Sequence, residues 1–214
     1  MTVNEEDKDP LVSSTRSAVR EDVPSCVLEA MQAAANWRLL GLLFERPRPG
    51  WLDGLRTLAG EVTDPELKAA AREAEYADEG SYLLVLGPGG SVSPREVAYR
   101  PMADPGKVLS EINGYYQAFA YRPRTEDPAD HVAVEAGFVG YLALKEAYAL
   151  AREDAEEART TREAIGSFLQ EHISCFVAEL PQRLRESTKG HLRAAATVLG
   201  KVSLWPVKTG CPSQ

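Results

Sequence analysis

Cysteine is scarce in this chain, and the three present (Cys26, Cys175 and Cys211) are an odd number at wide spacings. That pattern excludes a disulfide framework and predicts reduced thiols in a cytoplasm. No run approaches the roughly 20 apolar residues that a membrane-spanning helix requires, so stable membrane insertion is not expected. The first residues, MTVNEEDKDPLVSSTR, carry acids where a secretory signal has a basic region followed by an apolar one. Basic residues are in deficit, 24 Lys and Arg against 32 Asp and Glu, which argues against a nucleic-acid binder with its basic face. Metal motifs are missing too: there is no HExxH, no CxxC and no pair of ExxH motifs. The glycine cluster Gly87 to Gly90 lacks the Lys-Ser/Thr of a phosphate-binding loop and follows a helical pattern instead of a strand. No G-x-S-x-G nucleophile elbow occurs. These absences together predict a protein that binds and does not catalyse.

What is present is helical periodicity. With 44% hydrophobic and 26% charged residues over 214 positions, the chain has the balance of a globular protein with one sizeable core. Residues 1–24 are polar and aperiodic and read as a flexible arm, residues 25–205 as one helical domain, and 206–214 as a tail. Ser25 suits an N-cap, and Leu28, Met31, Ala35, Leu39 and Leu42 then recur at spacings of three and four. A short helix, Trp51 to Ala59, follows Pro47, Pro49 and Gly50. Three Asp-Pro pairs, at 64–65, 104–105 and 127–128, each place a capping aspartate before a proline suited to the first helical turn. Helical character continues through Ala77 and over Glu79 to Leu86, and then breaks. Residues 87–103 are too rich in Gly, Pro and Ser for a helix and form the one long irregular loop. The helix opened by Asp127 is expected to run to about Ala158. The clearest amphipathic stripe, Ile165 to Leu180, ends or kinks at Pro181, and a last helix spans about His191 to Trp205. The fold class is all-α, a single-domain helical bundle.

Two groups of residues invite a functional reading. His172 and Cys175, three apart within an apolar stripe, are too few for a metal and read as core. In EDPADHVAVEAGF, residues 126–138, Asp127 as N-cap would put Asp130 in the first turn near free amides. His131 and Glu135 would then stack on one helix face with Phe138 and Leu142. A capped helix start with a His–Glu surface pair accounts for that pattern. It leaves unexplained the density of Pro, Asp, His and Glu beside the long loop.

Three stretches resemble the TorD/DmsD/NarJ family of cytoplasmic chaperones, the redox-enzyme maturation proteins. They are EGSYLLVLGPGGSVSPREVAY (79–99), EDPADHVAVEAGFVGYL (126–142) and FLQEHISCFVAELPQRL (168–184). Ala129 separates Pro128 from Asp130-His131 where many members have the three adjacent. The resemblance implies a system-specific chaperone without catalytic residues. Such a protein binds the twin-arginine leader and apoprotein of a molybdenum-containing oxidoreductase subunit until cofactor is inserted, before export. The molybdopterin cofactor belongs to the client, and the chaperone binds none itself. Leader recognition calls for acidic groups at the rim of an apolar groove. The resemblance points to Asp130, Glu135 and Glu126 for the arginines and to His131, Tyr82, Tyr99 and Phe138 for the apolar part, with Pro128 and Glu96 also among the peptide-binding residues it implies. The PREVAYRP wording is similar to chaperones of the type II branch of the dimethyl sulfoxide reductase family. The state implied is monomer or dimer. Two other readings stand beside this one: a GTP-dependent switch or enzyme using Gly87 to Gly90, and a structural helical adaptor.

Overall fold

The computed structural model describes residues 23–201. Most of the expected arm, the tail, and the last helix beyond Lys201 lie outside the described residues. Nine α-helices are present among those described: α1 (Ser25–Leu43), α2 (Trp51–Glu61), α3 (Pro65–Glu73), α4 (Glu79–Leu86), α5 (Pro105–Ala118), α6 (Val132–Ala151), α7 (Ala155–Phe168), α8 (Ser174–Ser187) and α9 (His191–Leu199). No strand occurs among the described residues, so the all-α expectation is met. None of these helices is long and apolar enough to cross a membrane.

Aspartate caps set four of the nine described helix starts. Asp64 accepts from Glu66 N and Leu67 N at 2.8 Å, and Asp104 from Gly106 N at 2.7 Å, each followed by proline. Asp78 and Asp154 cap α4 and α7 in the same way. Each cap satisfies amides that the helix itself cannot, typically contributing about 1 kcal/mol. The cap at Asp154 corrects the expected helix to Ala158: α6 stops at Ala151 and α7 begins four residues on. Ser25 is the first helical residue, and Pro24 occupies the cap position.

The centre of the molecule is the antiparallel pair α1 and α6. Small residues bring their backbones close: a Cβ on Gly41 would meet the Ala133 carbonyl oxygen at 2.9 Å, and one on Gly140 would meet Arg38 N at 3.0 Å. Around this seam Leu39, Leu40, Phe138, Val139 and Leu142 are completely buried. Val27, Ala30, Ala34 and Trp37 complete the inward face of α1. The expected stripe on that helix was therefore partly misplaced. Leu28 and Met31 are about half exposed, 52% and 50%.

Helices α7 and α8 are joined without a break by a π-helical turn, Leu169–Ile173. Pro181 neither ends nor interrupts α8, which continues to Ser187. The ring is buried, and a Cβ on Gly200, the C-cap of α9, would meet it at 3.6 Å. Packing of that kind offsets the lost backbone hydrogen bond.

Candidate functional site

The segment after α4 is irregular over 87–104 apart from one 3-10 turn, Glu96–Tyr99. It begins by closing the end of α4. Gly87 N, Ser91 N and Val92 N donate to the carbonyls of Leu83, Leu84 and Val85 at 3.1, 3.1 and 2.9 Å. A Cβ on Gly87 would fall 2.5 Å from the Leu83 carbonyl oxygen, so only glycine fits. The glycine cluster thus satisfies helix-end carbonyls, the negative pole of a helix.

The loop then lies against the residues preceding α6. Glu96 N donates to the Asp130 carbonyl at 2.8 Å and Val132 N to the Pro94 carbonyl at 2.9 Å, with a bridge between Arg95 and His131. The Asp130 carboxylate, fully buried, accepts from Arg95 Nε at 2.9 Å and Nη2 at 2.8 Å. Asp127 is not the cap of α6. Its carboxylate accepts from Thr125 Oγ1 and faces Arg48 at 3.8 Å. A turn closed by His131 N on the Pro128 carbonyl follows. His131 itself is the N-cap: its Nδ1 accepts from Ala133 N at 3.1 Å. Because Nδ1 accepts, the ring is neutral there, and burial holds its pKa below the ordinary value.

Beneath this junction lies a buried polar cluster. Glu96, wholly buried, receives Arg100 Nε at 2.5 Å and His172 Nδ1 at 3.1 Å. Burial pushes its pKa up, but the hydrogen bonds and charges of His172 and Arg100 win, and the net shift is down. A carboxylate only accepts, so Nδ1 of His172 carries the hydrogen. Glu135, also wholly buried, finds no donor for either oxygen. Burial first, then the negative charge of Glu96, raises its pKa well above the ordinary range. That shift favours the protonated form, which places no second negative charge beside Glu96. Cys175, at the edge of the cluster, donates to the His172 carbonyl at 2.8 Å, and burial pushes its thiol up to about 12. That thiol is no nucleophile at neutral pH.

The residues singled out in the sequence therefore separate. Asp130, His131, Glu135, Glu96 and Tyr99 meet at the junction of loop and helix. The expected His131–Glu135 surface pair is corrected, because both side chains are buried. Tyr99 donates to the Ser93 carbonyl at 2.6 Å and lies under the Arg183 guanidinium, 4.8 Å from its ring centre. Phe138 sits in the core among Tyr115, Tyr116, Tyr121 and Phe168. Tyr82 lies apart, its hydroxyl on the Phe44 carbonyl at 3.1 Å. Glu126 and Pro128 alone are exposed. Sequence reasoning missed Arg95, Arg100 and the polar role of His172. The Glu96–Arg100 spacing of four was the available signal, while His172 is 76 residues away from Glu96.

Among the described residues no group of three or more His, Cys, Asp and Glu side chains can hold a metal ion. Asp130 and Glu96 are paired with the chain's own bases, and burial pushes Glu135 toward its protonated form. The arrangement fastens a loop to a helix.

Comparison with known proteins agrees. The Nitrate reductase delta subunit family profile matches residues 49–181, and the chain belongs to that family. It is 28% identical over 188 residues to Chaperone protein TorD of Salmonella bongori, covering 82% of this chain and 81% of the relative. It is 29% identical to the selenate reductase assembly chaperone protein of Thauera selenatis, covering 79% and 84%. With the chlorate reductase assembly chaperone protein of Ideonella dechloratans it shares 28% identity, covering 66% and 71%. The fold matches that of a crystal structure from Archaeoglobus fulgidus described as a redox enzyme maturation protein, at a TM-score of 0.52 and 14% identity, covering 80% of this chain and 93% of that one. The resemblance read from the sequence is borne out. So is the expectation of a non-catalytic protein: these relatives are named for chaperone or assembly roles and not for a reaction. The chain is a maturation chaperone.

Proposed function

We propose that this chaperone serves a molybdenum-containing oxidoreductase in the cytoplasm, binding the twin-arginine leader and apoprotein of its catalytic subunit until cofactor insertion is complete. The observation that carries this reading is the junction just described: a long loop held by a buried ionic cluster against a helix start, with Glu126 and Pro128 at its outer surface. The names of the selenate and chlorate reductase relatives favour a client of the type II dimethyl sulfoxide reductase branch.

The buried and exposed acids take different parts. A leader's guanidinium groups keep most of their hydration if they pair at the surface, whereas pairing inside would have to displace Arg95 or Arg100. Glu126 is therefore the direct contact for a leader arginine, with Pro128 beside it. Asp130, His131, Glu135, Glu96 and Tyr99 are positioning residues that keep the turn carrying Glu126 in place. Phe138 and Tyr82 act through the core.

The test is co-purification from the native host followed by calorimetry with the leader of the captured subunit. Glu126→Lys should weaken leader binding at least about tenfold, the equivalent of ~1.4 kcal/mol, with an unchanged melting temperature. Capture of a polypeptide with no twin-arginine leader, or equal affinity for a leader whose two arginines are replaced by alanine, would refute the reading.

A further inference from the structure

Outside the junction, a groove of about 1050 Å³ lies between α1, α6 and the 120–125 connection. Its apolar end is formed by Leu28, Met31 and Leu144, which are 52%, 50% and 55% exposed. Exposed aliphatic side chains on two adjacent helices make a continuous apolar surface that water covers at a cost. The opposite end is polar. There Arg38 is taken by Glu45 at 2.7 Å, while Arg122 and Arg124 are exposed and no ion pair within the described residues holds them.

With Arg38 and Glu45 paired, Arg122 and Arg124 outnumber Glu61, the remaining acid of the lining. They disfavour a leader bearing two arginines, because like charges brought together reduce affinity. That end suits an acidic segment that also carries aliphatic residues, and this chain contains one. Glu5-Glu6-Asp7-Lys8-Asp9-Pro10-Leu11-Val12 places three negative charges in excess immediately before Leu-Val. The stretch from Ser13 to Pro24 leads directly into α1, whose first turns carry Leu28 and Met31. That stretch spans up to about 40 Å when extended, against roughly 15 Å along α1 from Leu28 to Arg38. The order also fits. Running back from α1, the chain reaches Val12 and Leu11 before the acids, as the groove runs from its apolar end to Arg122 and Arg124.

We propose that residues 5–12 of the chain itself dock in the α1/α6 groove, with Leu11 and Val12 on Leu28, Met31 and Leu144 and the acids on Arg122 and Arg124. The groove is an internal docking surface, separate from the junction at Glu126, and the inference stands independently of how leaders bind.

The experiment uses the full chain with p-benzoyl-phenylalanine placed at Leu144, irradiated at low concentration and mapped by mass spectrometry. The expected product is a cross-link within one chain to a peptide from residues 1–22. Arg122→Glu with Arg124→Glu should lower its yield at least about fivefold, and replacing Glu5, Glu6 and Asp7 by Lys in that same variant should restore it. Both arginines are exposed, so the variants fold. No link to residues 1–22, a yield indifferent to charge reversal, or a product joining two chains would overturn the proposal. The last result would assign the groove to a second copy.

Discussion

Nδ1 of His172 lies 3.1 Å from Oε2 of Glu96, joining the π-helical turn before α8 to the long loop across 76 residues of chain. Both side chains are buried, and with Arg100 they fix the loop on the bundle. A π turn widens a helix by one residue and often marks a functional position. Here it carries the histidine that meets the loop. Replacing His172 by Phe should leave the Glu96 carboxylate with only Arg100 as a partner, and loosen residues 87–104. Hydrogen exchange is the direct measure: amides of Glu96 and Val132 should lose protection at least about tenfold, while those of α3 change little.

Asp130 and Arg95 make an unequal pair. Asp130 is completely buried, whereas the Arg95 side chain is 39% exposed. Removing Asp130 leaves a guanidinium that water can reach; removing Arg95 strands a buried carboxylate. Arg95→Ala should therefore destabilise by about 3–5 kcal/mol and Asp130→Ala by less, near 2–3 kcal/mol. Urea denaturation of both variants checks the order, and the reverse order would show that Asp130 is not held as described.

Glu135 has its pKa raised by burial and by Glu96. A carboxyl that keeps its proton in the folded state stabilises fully at acid pH. That contribution is lost as pH rises from the ordinary glutamate value through the raised one. Glu135→Gln, which mimics the protonated form, should raise the melting temperature at pH 8 by roughly 2–4 °C and leave it unchanged near pH 4. A loss of stability at pH 8 would mean that Glu135 is charged in the folded protein.

Acid should act on the protein through histidine. His191, the first residue of α9, is buried against Trp51 and its Nε2 has no partner. Burial lowers its pKa to about 4, and His131 is lowered in the same direction. Below about pH 6.5 the unfolded chain takes up the protons first, so stability is complete above that pH and falls as pH approaches 4. His191→Phe should remove up to about 3 kcal/mol of that acid sensitivity, as read from melting temperatures across pH 4 to 7.

The glycine cluster should prove structural. Gly87→Ala is expected to lower the melting temperature, since its Cβ would lie 2.5 Å from the Leu83 carbonyl oxygen. Calorimetry with GTP is expected to show no saturable binding to the unaltered chain. Tight binding abolished by Gly87→Ala at unchanged stability would favour the nucleotide switch.

Sequence periodicity and caps determined the helices. Asp64-Pro65 and Asp104-Pro105 start α3 and α5 as expected, because capping uses only neighbouring backbone amides. The long loop and the segment 126–138 were likewise visible as a concentration of special residues. Asp127-Pro128 carries the same local signal, yet α6 starts at Val132, because Asp127 is held by Thr125 and Arg48 and the Asp130 carbonyl is bound to Glu96 N. Those competing partners are distant in sequence or depend on a turn, so no local rule shows them. The same reason hid the outward half of α1: spacing shows which residues share a face, and only the position of α6 decides whether Leu28 and Met31 are covered. The sequence by itself determined a helical, non-catalytic chaperone class. The tertiary structure decided which acids are spent on the chain's own arginines, because burial and pairing are set by contacts between segments far apart along the chain.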